Sequence, residues 1–166
     1  MEPINPFFDI DGKPRHIGPR GFEYVKGLDK EFMDTVKLPT RKTARSAGYD
    51  FMCPFFTVVE PGDKVAIKTG VKAYMLSNEY LAIHIRSSMA IKHNLMLVNN
   101  VGIIDSDYYS NPDNDGEIII CVTNIGNEPY EIAQGEYFAQ GIFCEYMTDD
   151  NVVRTERTGG IGSTGK

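Results

Sequence analysis

From residue 81 to residue 86, apolar side chains at Leu81, Ile83 and Ile85 alternate with Ala82, His84 and Arg86. That is the period of an extended strand with one buried face, and it delivers Arg86 where the strand gives way to a loop. Val65 and Ile67 alternate in the same way with Lys64, Ala66 and Lys68, directly after a turn at Pro61-Gly62-Asp63. Ile118-Ile119-Ile120-Cys121-Val122 is apolar throughout, which predicts a strand covered on both faces. Turn residues recur at Asn78, Asn111-Pro112-Asp113, Gly126-Asn127 and Gln134-Gly135. Short strands punctuated in this way predict an all-β sandwich or barrel rather than alternating βαβ units. Helix is confined to a turn or two from Ser88 to His93 and a short piece from Asp29 to Thr35.

Composition narrows the class. At 166 residues, 42% hydrophobic and 24% charged, the chain suits one globular domain with one core. No apolar run approaches the ~20 residues of a membrane span. Met1 to Arg20 carries prolines and acids where a signal peptide would be apolar, so a cytoplasmic product is expected. Cys53, Cys121 and Cys144 are odd in number and lack C-x-x-C spacing, which predicts reduced, buried thiols and no zinc site. A net charge of −6 disfavours a general nucleic-acid binder but not a phosphate ligand, which needs only local donors.

The stretch from Thr158 to Lys166 contains four glycines, two hydroxyls besides Thr158, and a lysine. Such a strand exposes many backbone N–H donors and can approach a polyanion closely. Gly160 to Lys166 also spells G-x-x-x-x-G-K, but the preceding run from Asn151 to Arg157 is mostly polar, not the buried strand that a nucleotide P-loop requires. Four upstream segments give the tail its meaning: Ala47-Gly48-Tyr49-Asp50, Arg86-Ser87-Ser88-Met89-Ala90, Gly102-Ile103-Ile104-Asp105-Ser106-Asp107-Tyr108 and Gly135-Glu136-Tyr137-Phe138-Ala139-Gln140. With the tail, they resemble the five ordered motifs of the trimeric deoxyuridine triphosphatases, the dUTPases, over roughly residues 36–166. The resemblance implies a jelly-roll-like β-barrel (36–153), a homotrimer with shared active sites, and a C-terminal glycine-rich arm (154–166) that closes the site. Residues 1–35 are then an extension lying on the barrel or on a neighbouring subunit.

The resemblance also implies roles. Asp105 matches the carboxylate that holds and activates the attacking water, and Arg157 an arginine that acts like an arginine finger. Asn99, Gly102 and Ile104 belong to a hairpin that reads uracil, and the Tyr108 ring packs on the deoxyribose, leaving no room for a 2′-hydroxyl. Arg86, Ser87, Ser88 and Gln140 match phosphate contacts, and Asp50 a supporting carboxylate that orients Arg86 or a metal-bound water. Ile161, Gly162, Ser163 and Thr164 match the part of the arm that covers the substrate. The cofactor implied is Mg²⁺, held through substrate phosphates and waters rather than by protein ligands. The activity implied is hydrolysis of dUTP to dUMP and pyrophosphate by water attack on the α-phosphorus. It keeps uracil out of DNA, in the cytoplasm of a cell or of a phage host, with neither membrane nor nucleic acid as a partner.

From the residues alone, Asp105 and Asp107 share one face of a strand, as an acidic edge or a metal-binding pair. Three departures from the family pattern stand out. Arg157 lies four residues before Ile161 rather than five before an aromatic, with Arg154 seven before. Ile161 itself replaces the aromatic that stacks on uracil. Tyr109 to Asp115 is an insertion beside the presumed site, in which Tyr109 is a second candidate to cover the base. The alternatives are a dCTP deaminase of the same fold, or a phage-type dUTPase that also acts as a protein-binding regulator through the insertion.

Overall fold

The computed structural model describes residues 18–151, 157 and 159–160. Eleven strands and two short helices follow in the order β1 (Gly21–Tyr24), α1 (Lys30–Thr35), β2 (Tyr49–Met52), β3 (Thr57–Val59), β4 (Lys64–Lys68), β5 (Val71–Tyr74), β6 (Glu79–Ile85), α2 (Ser87–His93), β7 (Leu95–Leu97), β8 (Gly102–Asp105), β9 (Ile119–Asn124), β10 (Tyr130–Ile132) and β11 (Tyr137–Glu145) among the described residues. A 3₁₀ turn, Ser106–Tyr108, follows β8. The protein is mostly β, as its punctuated strands predict. One antiparallel sheet runs β2-β11-β6-β8 and another β4-β9-β7, with the pairs β1-β5 and β10-β3 beside them. The inward faces bury Phe51, Leu81, Ile83, Leu95, Leu97 and Phe138 in one core, each contributing about 1.5–3 kcal/mol by leaving water.

Residues 18–36 lie against this core. β1 pairs antiparallel with β5, and Phe22 sits 5.3–5.6 Å, ring centre to ring centre, from Tyr49, Phe51 and Phe143. Asp29 caps α1 by accepting from the Phe32 amide at 2.8 Å, the expected use of an aspartate at a helix start. Tyr24 fixes the far end of α1 by donating to the Val36 carbonyl at 2.6 Å.

Two expectations are corrected. β9 is covered on one face, not two: Ile120 and Val122 are buried, whereas Ile119 and Cys121 are half-buried and line a cavity. Of the three thiols, all free, Cys53 alone is buried. Among the described residues no helix is long and apolar enough to cross a membrane.

Candidate functional site

β7 pairs with β9, and β8 pairs with β6. The stretch from Leu95 to Asp105 therefore turns a corner between two sheets instead of closing the expected hairpin. Asn100 takes the corner with φ +60°, and the Val101 amide donates to the Asn99 carbonyl at 2.6 Å. Gly102 then crosses against β6 so closely that a Cβ there would stand 3.0 Å from Ile83 Cβ. Its smallness serves the packing of β8 on β6 as well as any ligand. Where the two sheets diverge lies a cavity of about 520 Å³, lined by Asn99, Gly102, Ile104, Asp105, Tyr108 and Arg157 and walled by Ile119 and Cys121.

The polar end of the cavity is built by the 3₁₀ turn. Asp105 and Asp107 do not share a strand face, because the strand ends at Asp105 and the turn tightens from Ser106. The turn nonetheless aims both carboxylates at one cation. Arg157 donates from Nη2 to Asp105 Oδ2 at 2.6 Å and from Nε to Asp107 Oδ1 at 2.8 Å. Its side chain is only 10% exposed, against 51% and 57% for the two acids, so the arginine is the covered member of the cluster. The hydrogen bond to Asp107, foremost, and the charge of both acids push its pKa up further. The guanidinium carbon lies 5.5 Å from the centre of the Tyr108 ring, close enough for cation–π attraction.

Tyr108 is buried and held by its hydroxyl, which donates to the Glu117 carbonyl at 3.0 Å and accepts from Asn114 Nδ2 at 2.8 Å. The residues that follow it in sequence are what hold it. Asn111, itself buried, donates to the Tyr108 carbonyl at 2.8 Å and accepts the amides of Asp113 and Asn114 at 3.0 and 3.2 Å. Ser110 and Asp115 sit at φ +54° and +57°, a conformation that side chains adopt only when their surroundings impose it. Gly116, at φ +83°, could not carry a Cβ, which would stand 2.7 Å from the Ser110 nitrogen. Asp115 accepts from buried Lys72 Nζ at 2.8 Å and from the Lys26 amide at 2.9 Å. Burial raises the Asp115 pKa, but these two partners outweigh it and the net displacement is downward. Tyr109 faces away from the cavity, donating to Glu23 at 2.7 Å beside Tyr74 and Lys72; burial first, and Glu23 second, push its phenol well above the usual range.

The expected phosphate-contacting residues form a second group that lines no part of this cavity. β2 pairs with β11 and β11 with β6, so Gln140 lies between Asp50 and His84 across the sheet. Arg86 leaves the end of β6, donates from Nη1 to the Tyr137 carbonyl at 3.0 Å and brings Nε to 3.4 Å from Asp50 Oδ1. Ser87 and Ser88 open α2 directly after it. Asp50 is buried, and its Oδ2 has no hydrogen-bond partner among the described residues, an acceptor held ready beside a cation. Ile161, Gly162, Ser163 and Thr164 lie outside the described residues, as does Arg154. The roles of Asn111, Asp113 and Asn114 were missed from sequence. Their signals were a run of Asn and Asp typical of turns and a place in the Tyr109 to Asp115 stretch that departs from the family pattern.

The family model described as dUTPase matches residues 34–165. The chain belongs to the dUTPase family. The deoxyuridine 5′-triphosphate nucleotidohydrolase of Lactococcus lactis subsp. lactis is 42% identical over 149 residues, covering 88% of this chain and 97% of that relative. The crystal structure of the dUTPase from Streptococcus mutans is 39% identical with a TM-score of 0.71, over 79% of this chain and 99% of that one. A variant dUTPase from phage phi11 of S. aureus, which coordinates a structural Mg(II) ion, shares the fold at 19% identity and a TM-score of 0.65, over 83% of this chain and 98% of that one. Within this dUTPase the matched range takes in the corner, the 3₁₀ turn and residues 109–115.

Proposed function

We propose that this dUTPase hydrolyses dUTP to dUMP and pyrophosphate by water attack on the α-phosphorus. The observation that carries this reading is the cavity in which Asp105, Arg157 and the Tyr108 ring converge beside a backbone corner. A carboxylate only accepts hydrogen bonds, so Asp105 fixes a water through its protons and turns a lone pair toward phosphorus. Among the described residues Arg157 engages only Oδ2 of Asp105, which leaves Oδ1 for that water. As the oxygen–phosphorus bond forms, the proton passes to Asp105 and the α–β bridging oxygen leaves with pyrophosphate. Arg157 offsets the charge that accumulates on the phosphoryl oxygens. Asn99, Gly102 and Ile104 present the corner to uracil, and Tyr108 takes the sugar.

Arg86, Ser87, Ser88 and Gln140 bind phosphate, with Asp50 orienting Arg86. Asp105 lies opposite Tyr80, six residues along β6 from Arg86, a separation of about 20 Å at the rise of a strand. One triphosphate cannot reach both ends of that strand. That separation supports a site completed between copies of the chain, and on the family resemblance we infer a homotrimer whose arm, with Ile161, Gly162, Ser163 and Thr164, covers the substrate. Mg²⁺ suits the donors present: among the described residues no cluster of acids, histidines or cysteines could cage a metal, and the unpaired Asp50 oxygen fits a metal-bound water. Bound through the phosphates, the ion would neutralise their charge.

Pyrophosphate release from dUTP, dTTP, dCTP and UTP, each with Mg²⁺, tests the reading. Turnover of dUTP at least a hundredfold above the others is expected from a site that leaves buried partners unpaired with the wrong base. Comparable turnover of all four, or ammonia release from dCTP, would overturn it.

A further inference from the structure

One small polar frame fixes Tyr108 at both ends, and the hub of that frame is Asn114. Its Nδ2 donates to the Tyr108 hydroxyl at 2.8 Å and to the Glu117 carbonyl at 3.2 Å. Its Oδ1 accepts from Asn111 Nδ2 at 2.8 Å and from the Gly116 amide at 3.1 Å. An asparagine side chain offers two N–H donors and one oxygen with two lone pairs, and here each is used. We propose that Asn114 is a positioning residue for sugar selection: by fixing the Tyr108 hydroxyl it makes the ring a wall stiff enough to reject a 2′-hydroxyl. The proposal rests on the reading above in which Tyr108 takes the deoxyribose of dUTP.

Exclusion by crowding is only as strong as the crowding group is stiff. A tyrosine held by its backbone alone swings about χ1 and χ2, and its far end moves most. The near end of Tyr108 is fixed because its carbonyl accepts from Asn111 Nδ2 at 2.8 Å, the same amide group that reaches Asn114. At the far end the hydroxyl donates to the Glu117 carbonyl at 3.0 Å while it accepts from Asn114. Glu117 is anchored in turn. Its Oε1 accepts the Gly70 amide at 3.0 Å, and the next amide, that of Ile118, donates to the Val71 carbonyl at 2.8 Å. The ring tip is thus tied to the start of β5 through a chain of short bonds, although the ring itself borders the cavity. Stiffness matters for this choice in particular. A pocket rejects a molecule that merely adds a hydroxyl by only about 10²-fold, so a wall that yields forfeits much of its discrimination.

The full-length enzyme is compared with N114D, N114A, Y108F and the N114D/Y108F double variant, by kcat/KM for dUTP and for UTP with Mg²⁺. N114D keeps Oδ1 for Asn111 and Gly116 but puts an acceptor where the Tyr108 hydroxyl and the Glu117 carbonyl need a donor. Y108F keeps the ring and removes the hydroxyl. Each single variant should lower the dUTP-to-UTP ratio of kcat/KM by about fivefold to tenfold, the scale of one hydrogen bond, chiefly through a gain on UTP. On dUTP itself kcat/KM should stay within about threefold of wild type. The double variant should match the poorer single one, because both changes act through the same bond. A role in loop stability alone would lower the urea midpoint and leave the ratio where it was. A ratio within twofold of wild type in N114D or Y108F, a ratio that falls only because dUTP turnover collapses, or losses that multiply in the double variant would each overturn the proposal. Should both Asn114 variants fail to fold, Y108F alone decides it by the same limits. A wild-type enzyme that does not hydrolyse dUTP, or that takes dUTP and UTP equally, would defeat the functional reading instead, and the proposal would fall with it.

Discussion

Asp105 and Asp107 supply each other's control. Both grip Arg157 at hydrogen-bonding distance and both are about half exposed, so neutralising either one with an isosteric amide removes a similar share of the arginine's support. An exposed ion pair is worth roughly 0–1 kcal/mol; with this short geometry about 0.5–1 kcal/mol is lost in D107N, a fall of about twofold to fivefold in kcat. D105N loses the same support and also the group that accepts the water's proton. A positioned general base contributes about 10²–10⁴-fold, so D105N should fall at least about a hundredfold below D107N. Pyrophosphate release at saturating dUTP and Mg²⁺ measures both, and calorimetry with a non-hydrolysable dUTP analogue checks that nucleotide still binds. Equal losses in the two variants would mean that Asp105 serves only as an anchor for Arg157. D105N within about threefold of wild type would exclude it as the base altogether.

Tyr108→Ala opens space beside the sugar, so the kcat/KM ratio of UTP to dUTP should rise even as overall efficiency falls; an unchanged ratio places the discrimination elsewhere. Lys72→Met strands Asp115, which keeps Lys26 and partial exposure, and should cost about 3 kcal/mol in urea unfolding, the low end for a broken buried pair. Glu79 is buried, and its hydrogen bond from Arg20 depresses its pKa. The stability it contributes is therefore fully present above about pH 4.3, the unfolded carboxyl value, and is lost as pH falls through the lower folded value. The difference in unfolding midpoint between wild type and E79Q should close over that acid range; a difference that persists unchanged at pH 2 would refute the pairing.

What could be read in the sequence follows from how local the cause is. β6 was legible because one face is buried and period two needs nothing beyond the strand itself. The short helix after Asp29 was legible too, because its start is equally local: the aspartate accepts from the Phe32 amide three residues on. β9 was misread because an apolar residue facing a cavity looks the same, in sequence, as one facing a core. The acids at 105 and 107 were taken for one strand face because nothing in Ser106 announces a 3₁₀ turn. Asn111-Pro112-Asp113 was recognisable as a turn. Its ties to Tyr108 and Lys72, and to a glycine amide 47 residues on, were not, since contacts between distant segments leave no local pattern. The corner between β7 and β8 was taken for a hairpin because pairing partners are chosen by the sheets on either side.

The placement of Asp105 and Arg86 at opposite ends of β6 has a consequence for mixtures of defective chains. If no copy uses both of its own ends in one reaction, a chain spoiled only at Arg86 still offers an intact Asp105 corner, and a chain spoiled at Asp105 still offers an intact Arg86. R86A and D105N, each inert alone, should regain part of the wild-type rate when unfolded and refolded together, whereas simple blending of preformed oligomers should regain it only as fast as subunits exchange. On the proposed shared site, specific activity should also fall when the enzyme is diluted far enough for its copies to separate, so scarcity of chains would silence it by a route distinct from unfolding.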